Sequence, residues 1–257
     1  MGKNIAVITG ASSGMGMEFA FQIDCLYTKI DEIWLISRNK DRLTELAKLL
    51  DTKTRVIQAD LSNELDLDAL SIFLQENNPK IRILINSAGL GFMGDFRNIP
   101  MKEQLNMIDV NIRALTELTY LCLPYMPKNA RIIQLASSAA FLPQKNFAVY
   151  SATKAYVLSF SRALAEELRK SNIYVTAVCP GPVDTAFFPL AGKYGEALAF
   201  KEKIMVPADK VVKQALYDSH KKKQMSVYSL PIKAFLIASK LIPHKIIFFI
   251  MRFLRKG

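Results

Sequence analysis

Tyr150 and Lys154 stand four residues apart in the run Tyr150-Ser151-Ala152-Thr153-Lys154, where the pattern predicts a helix from residue 150 to about 171. Residues four apart on a helix share a face. A free phenol titrates at about 10 and is a poor acid and a worse base near neutrality. A fixed ammonium beside it favours the phenolate and is expected to draw that pKa down. Such a pair can pass a proton to or from an alcohol or carbonyl oxygen. The spacing alone also fits a packed tyrosine and a solvated lysine, so the partners must come from elsewhere in the chain.

Other chemistries are poorly supplied. Cys25, Cys122 and Cys179 lack metal-ligand or Cys-x-x-Cys spacing and read as buried thiols in a reducing compartment. His220 and His244 both fall late in the chain near lysines. A Ser-His-Asp site is therefore unsupported, and no metal is expected.

An acid–base pair needs a scaffold to hold it. Residues 5–9, 33–37, 55–59, 81–85, 131–135 and 174–178 are short apolar runs that read as buried strands. Helix-periodic stretches separate them, among them 63–75 and 101–126. This alternation predicts an α/β fold: a Rossmann-type, doubly wound parallel sheet in three αβα layers. Ligands bind such sheets at the C-terminal strand ends. Gly10, Arg38, Asp60, Asn86, Ser137 and Pro180 all stand there. The first strand runs into Gly10-Ala11-Ser12-Ser13-Gly14-Met15-Gly16 and then a helix, a turn that lets backbone approach a phosphate at a helix N-terminus. The second ends in Arg38, where an acid would hold the ribose hydroxyls of NAD. Arginine suits the additional phosphate of NADP, so NADP(H) is the expected cofactor. Read singly, Asn111 is also an ordinary helix residue, Ser137 a turn residue and Asp60 a helix cap.

In order and spacing, Thr9 to Gly16, Asp60, Asn86-Ser87-Ala88-Gly89, Asn111, Ser137, Tyr150 to Lys154 and Pro180-Gly181 resemble the short-chain dehydrogenase/reductase family in its single-domain form. The resemblance covers about residues 5–185. It implies that Tyr150 is the general acid when a ketone is reduced and the base when an alcohol is oxidised. It implies that Lys154 lowers the Tyr150 pKa and binds the nicotinamide ribose, that Ser137 holds the substrate oxygen, and that Asn111 holds a water linking Lys154 to solvent. Ser138 is the fallback for Ser137. Cofactor contacts are implied for Gly10, Ser12, Ser13, Gly14, Met15 and Gly16 in the first turn, and for Arg38, Asp60 and Leu61 at the next two strand ends. Asn86, Ala88, Gly89, Tyr150, Lys154, Pro180, Gly181, Val183 and Thr185 complete the implied set. A homo-oligomer, dimer or tetramer, is implied as well. Ser87, Ala136 and Met15 depart from the commonest family residues without removing a group that the chemistry needs.

The chain has 257 residues and is 51% hydrophobic, enough for one large domain. That domain is expected over 1–229, followed by a basic amphipathic helical extension over 230–257. A substrate lid is expected over 185–205, with Phe187, Phe188 and Leu190 joining Phe92, Phe141 and Phe147 in an apolar lining. Such a lining suits a hydrophobic ketone or alcohol of the hydroxysteroid or bile acid kind. Reduction of a 3-oxoacyl chain is the alternative enzyme, and a non-catalytic NADP-binding sensor is the alternative of another class. The net charge of +11 is uneven: nine Lys/Arg and no acid follow Asp218. Taking those nine from 34 leaves 25 basic residues against 23 acidic ones in the rest. Nucleic-acid binding is therefore not expected. The tail's apolar runs fall short of the roughly 20 residues that span a bilayer. They fit a membrane surface, a second subunit or a cap on the pocket. Met1-Gly2-Lys3-Asn4 leads straight into a strand, so no signal peptide is expected and the location is read as cytoplasmic, with peripheral membrane contact through the tail.

Overall fold

Apolar residues in consecutive positions must bury both faces of a strand, and side chains alternate between those faces. The computed structural model, which describes residues 2–195, 205–243, 245 and 246, shows the result. Strands β1 (Asn4–Thr9), β2 (Glu32–Ser37), β3 (Thr54–Gln58), β4 (Lys80–Asn86), β5 (Arg131–Leu135) and β6 (Tyr174–Val178) form a parallel sheet. Its order is β3-β2-β1-β4-β5-β6-β9, closed by β9 (Met225–Ser226). A separate small ladder joins β7 (Val183–Asp184) to β8 (Val206–Pro207).

Alternation divides the core in two. Ala6, Ile8, Ile33 and Leu35 pack with Phe19 of α1 (Gly14–Leu26), Leu43 of α2 (Lys40–Lys48) and Val212 of a late helix, α8 (Ala208–His220). Ile5, Val7, Trp34 and Ile36 pack on the opposite face with Leu67 of α3 (Glu64–Asn77), Leu118 of α5 (Leu115–Cys122) and Leu164 of α6 (Ala148–Glu167). Each buried Ile, Leu, Val or Phe side chain among these stabilises the fold by roughly 1.5–3 kcal/mol. The three αβα layers follow from that division. Local chemistry sets the helix ends. The Asn39 and Asn63 side chains accept from Arg42 N and Leu65 N and so cap α2 and α3.

Two expected helices differ in detail. The stretch 101–126 is one rod with a wider turn inside it: α4 (Met101–Ile108), a π turn (Asp109–Ala114), α5, then a 3-10 turn at Leu123–Tyr125, where Pro124 stops the ladder. The helix expected from 150 to about 171 begins at Ala148, tightens to 3-10 after Glu167 and ends at Asn172, whose φ is 56°. Asparagine tolerates that left-handed conformation.

The sheet's last edge is held by one buried acid. Asp218, near the end of α8, accepts from Lys223 Nζ at 2.7 Å and Ser226 Oγ at 2.8 Å. This fixes the turn that brings β9 alongside β6. Two more helices complete the described chain: α7 (Phe187–Ala191) in the expected lid and α9 (Leu230–Leu241) in the expected extension. The remainder of both regions, 196–204 in the lid and 244 and 247–257 in the tail, lies outside the described residues.

Candidate active site

The C-terminal strand ends open on one cleft of about 520 Å³. Gly10 lines it with φ 66°, a conformation that favours glycine. A Cβ there would lie 2.8 Å from Ala88 N, so only glycine lets the ends of β1 and β4 come this close. The Thr9 hydroxyl ties the same two ends, accepting from Ser87 N and Ala88 N at 3.1 Å each. The first turn of α1 points into the cleft with neither a side-chain cap nor an acid. A helix N-terminus in that state attracts an anion.

At one end Arg38 and Asp60 both line the cleft. Burial raises the Asp60 carboxyl, but hydrogen bonds from Ser62 and the Arg38 charge outweigh it and hold the pKa below the usual value. Asp60 closes a turn onto Ser62 N at 3.0 Å, while the cap of α3 is Asn63.

At the other end three expected residues converge. Tyr150 lies in the first turn of α6 and is 7% exposed. Ser137 stands close enough to its hydroxyl to act on its pKa. Phe147 stacks on its ring at 4.2 Å and Phe187 leans on it at 5.4 Å. Gly91 makes room for this packing: a Cβ there would lie 2.5 Å from Phe187 and 2.8 Å from Tyr150. Lys154, one turn on, donates from Nζ to the Leu135 carbonyl at 2.7 Å and stands 5.6 Å from the Tyr150 ring centroid. Ser137 Oγ accepts from Ala139 N at 3.1 Å, which orients it towards Tyr150. Ser138 also lines the cleft but spends its N–H on the Pro180 carbonyl.

The protonation states correct one expectation. Burial pushes the Tyr150 phenol up to about 12, against the effect of Ser137, which lowers it. Burial pushes the Lys154 ammonium down to about 8. The expected drop of Tyr150 towards neutrality is therefore not produced by the protein alone. Desolvation between two phenylalanine rings outweighs the effect of Ser137, and the Lys154 ammonium is spent on the Leu135 carbonyl. Cys179, pushed up to about 12 by burial, stays a thiol beside Lys154.

Asn111 and two other expected residues sit behind the cleft wall. The π turn carries Asn111 inward, fully buried. Its Oδ1 accepts from Leu90 N at 2.8 Å, and its Nδ2 donates to Leu90 O at 2.8 Å and Thr153 Oγ1 at 3.0 Å. Both amide protons are committed, so the side chain ties the loop after β4 to α6. Asn86 donates to Thr119 Oγ1 at 3.0 Å and Gln134 Oε1 at 2.9 Å, within the sheet rather than on the cleft. Gly16 is buried against the Gly10 carbonyl. Ser12, Ser13, Gly14, Met15, Leu61, Ala88, Gly89, Pro180, Gly181, Val183 and Thr185 line the cleft.

Sequence reasoning missed Arg42, which lines the cleft beside Arg38. The signal was present in part: Arg42 falls in the first turn of the helix that follows the strand end at Arg38. Among the described residues no cluster of His, Cys, Asp or Glu could hold a metal ion.

Residues 4–192 match the family described as short chain dehydrogenase. An uncharacterized oxidoreductase of Staphylococcus epidermidis is 35% identical over 185 residues, covering 71% of this chain and 79% of that protein. A short-chain dehydrogenase from Sphingobium yanoikuyae in complex with NADPH superposes with a TM-score of 0.79 at 30% identity, covering 91% of each chain. A bulky-bulky ketone specific alcohol dehydrogenase from Comamonas testosteroni does so with a TM-score of 0.73 at 26% identity, covering 92% of this chain and 91% of that one.

Proposed function

Because the chain belongs to the short-chain dehydrogenase family and is an oxidoreductase, we propose that it uses NADP(H) to interconvert a ketone and a secondary alcohol on a bulky apolar substrate. One observation carries the reading. Ser137, Tyr150 and Lys154 converge on one end of a cleft whose other end presents Arg38 and Arg42. The cleft suits the cofactor: close-approaching backbone at Gly10, an uncapped helix start for a diphosphate, and two arginines for a further phosphate. When bound, NADPH supplies the hydride.

The chain's own residues supply position and a proton. Ser137 donates to the carbonyl oxygen and holds it beside Tyr150. A phenol at about 12 keeps its proton at neutral pH yet yields it to an alkoxide, which is a far stronger base. This supports Tyr150 as general acid in carbonyl reduction. Lys154, at about 8, can reload that proton near neutrality. Asn111 fixes Leu90 and Thr153 around it. Leu90, Phe147, Phe187, Phe188 and Leu190 line the cleft and favour an apolar substrate of the hydroxysteroid kind. The similar alcohol dehydrogenase named for bulky ketones supports that choice.

The test is NADPH oxidation, followed by absorbance, across steroid, bile acid and acyl ketones. Turnover with a bulky ketone is expected, and Tyr150→Phe should lower it about 10²–10⁴-fold while NADPH binding stays nearly unchanged. NADPH binding without turnover of any ketone would sink the reading, and an active Tyr150→Phe protein would sink the assigned acid.

A further inference from the structure

Helix α9 is apolar on two opposite sides. On one side Ile232 lies against Gly181 and Phe235 meets the Phe141 ring at 6.1 Å, with Leu236 packed beside them. On the other side Leu230, Ala234, Ile237 and Leu241 recur at three- and four-residue spacing. Leu230, Ile237 and Leu241 are 79%, 58% and 77% exposed. Lys233 and Lys240, two turns apart, run along one edge of this outward stripe, and exposed Lys245 and Ile246 follow it. The sequence after Asp218 holds nine basic residues and no acid, and residues 247–257 add Arg252, Arg255 and Lys256 to seven apolar residues. A stripe of acyl-compatible side chains with a lysine edge and a basic, acid-free tail is complementary to an anionic lipid surface on both counts.

We propose that α9 docks the protein, through this outward stripe, on the surface of an anionic bilayer. Among the described residues no helix is long and apolar enough to cross a membrane, so the contact lies in the plane of the interface. The inner side of α9 rests on two segments of the cleft wall, the turn after Ser137 and the Pro180-Gly181 loop. A helix is about 10–12 Å across. Docking therefore brings those segments within about one helix diameter of lipid. A short path for a membrane-dissolved ketone follows, and that corollary alone rests on the function proposed above.

Vesicle flotation of the full chain tests the docking independently of catalysis. Flotation is expected with phosphatidylcholine vesicles that contain phosphatidylglycerol, and little with phosphatidylcholine alone. Ile237→Glu/Leu241→Glu should abolish it. Lys233→Glu/Lys240→Glu should weaken it by about thirtyfold or more at low salt, each lysine contributing about fivefold. Both variants alter exposed positions away from the cleft and should keep the wild-type thermal midpoint. Failure of the wild type to float, equal flotation with neutral vesicles, or unchanged flotation of Ile237→Glu/Leu241→Glu overturns the proposal. A wild-type dimer in the absence of lipid that this variant returns to monomer would assign the stripe to a second copy, and overturns it as well.

Discussion

Replacing Lys154 with methionine should change the pH dependence of stability in a defined direction. Lys154 is 4% exposed, and burial lowers its pKa from 10.5 to about 8. A lysine whose folded pKa lies below its unfolded one binds its proton more weakly in the folded state. Below about pH 8 both states are protonated and the fold carries the full cost of the buried charge. As pH rises from 8 towards 10.5 the folded state sheds that proton first, and the cost is relieved. The shift from 10.5 to about 8 corresponds to about 3 kcal/mol at neutral pH, falling to about 1 kcal/mol near pH 10. Lys154→Met escapes this cost but leaves the Leu135 carbonyl unpaired, a loss of about 1–3 kcal/mol that does not titrate. Near pH 7 the two effects roughly cancel, and the variant should unfold within about 2 kcal/mol of the wild type. Towards pH 10 it should fall behind by a further 2–3 kcal/mol or so. Urea unfolding of both proteins at matched pH measures this difference. A difference that stays constant, or that moves in the variant's favour as pH rises, would refute the claim that the buried ammonium is a cost to the fold.

Two further outcomes test the ends of the cleft. Arg38→Asp should weaken NADPH binding about 10–100-fold and NADH binding far less, as a charge-assisted contact to phosphate requires; titration of the two cofactors measures it, and equal losses would remove the phosphate contact from Arg38. Gly91→Ala should cost about 1–3 kcal/mol and most of the turnover, because its Cβ would sit 2.5 Å from Phe187 and 2.8 Å from Tyr150. Adding Phe187→Ala should restore part of both, and a fully active Gly91→Ala protein would show that the rings are not closely packed at Tyr150.

The sheet was legible because six of its strands are short, mostly apolar runs, and 131–135 and 174–178 match their observed bounds. β9 was not, since Met225 and Ser226 form no such run and reach the sheet only because Asp218 holds their turn. The convergence of Ser137, Tyr150 and Lys154 was legible from strand ends and helix spacing. The burial of Asn111 was not. Periodicity predicts a straight helix over 101–126, whereas the π turn that aims Asn111 at Leu90 depends on partners distant in sequence. The direction of the Tyr150 shift was misread for a related reason. Spacing reveals a neighbouring charge, but the rings of Phe147 and Phe187, which remove the water, meet Tyr150 only in the folded chain.

The two-residue strand β9 also sets an order of assembly. Every pairing in the main sheet is parallel, so each waits for a crossover to be synthesised. The β1 to β3 half can assemble while the rest of the chain is still emerging. The outer edge of β6 stays unpaired until residue 226 has emerged, and α9 can take its seat only afterwards. An exposed strand edge is a template for association with other chains. A chain arrested or cut between β6 and Met225 would therefore fail by aggregating through β6 while still holding Ser137, Tyr150 and Lys154.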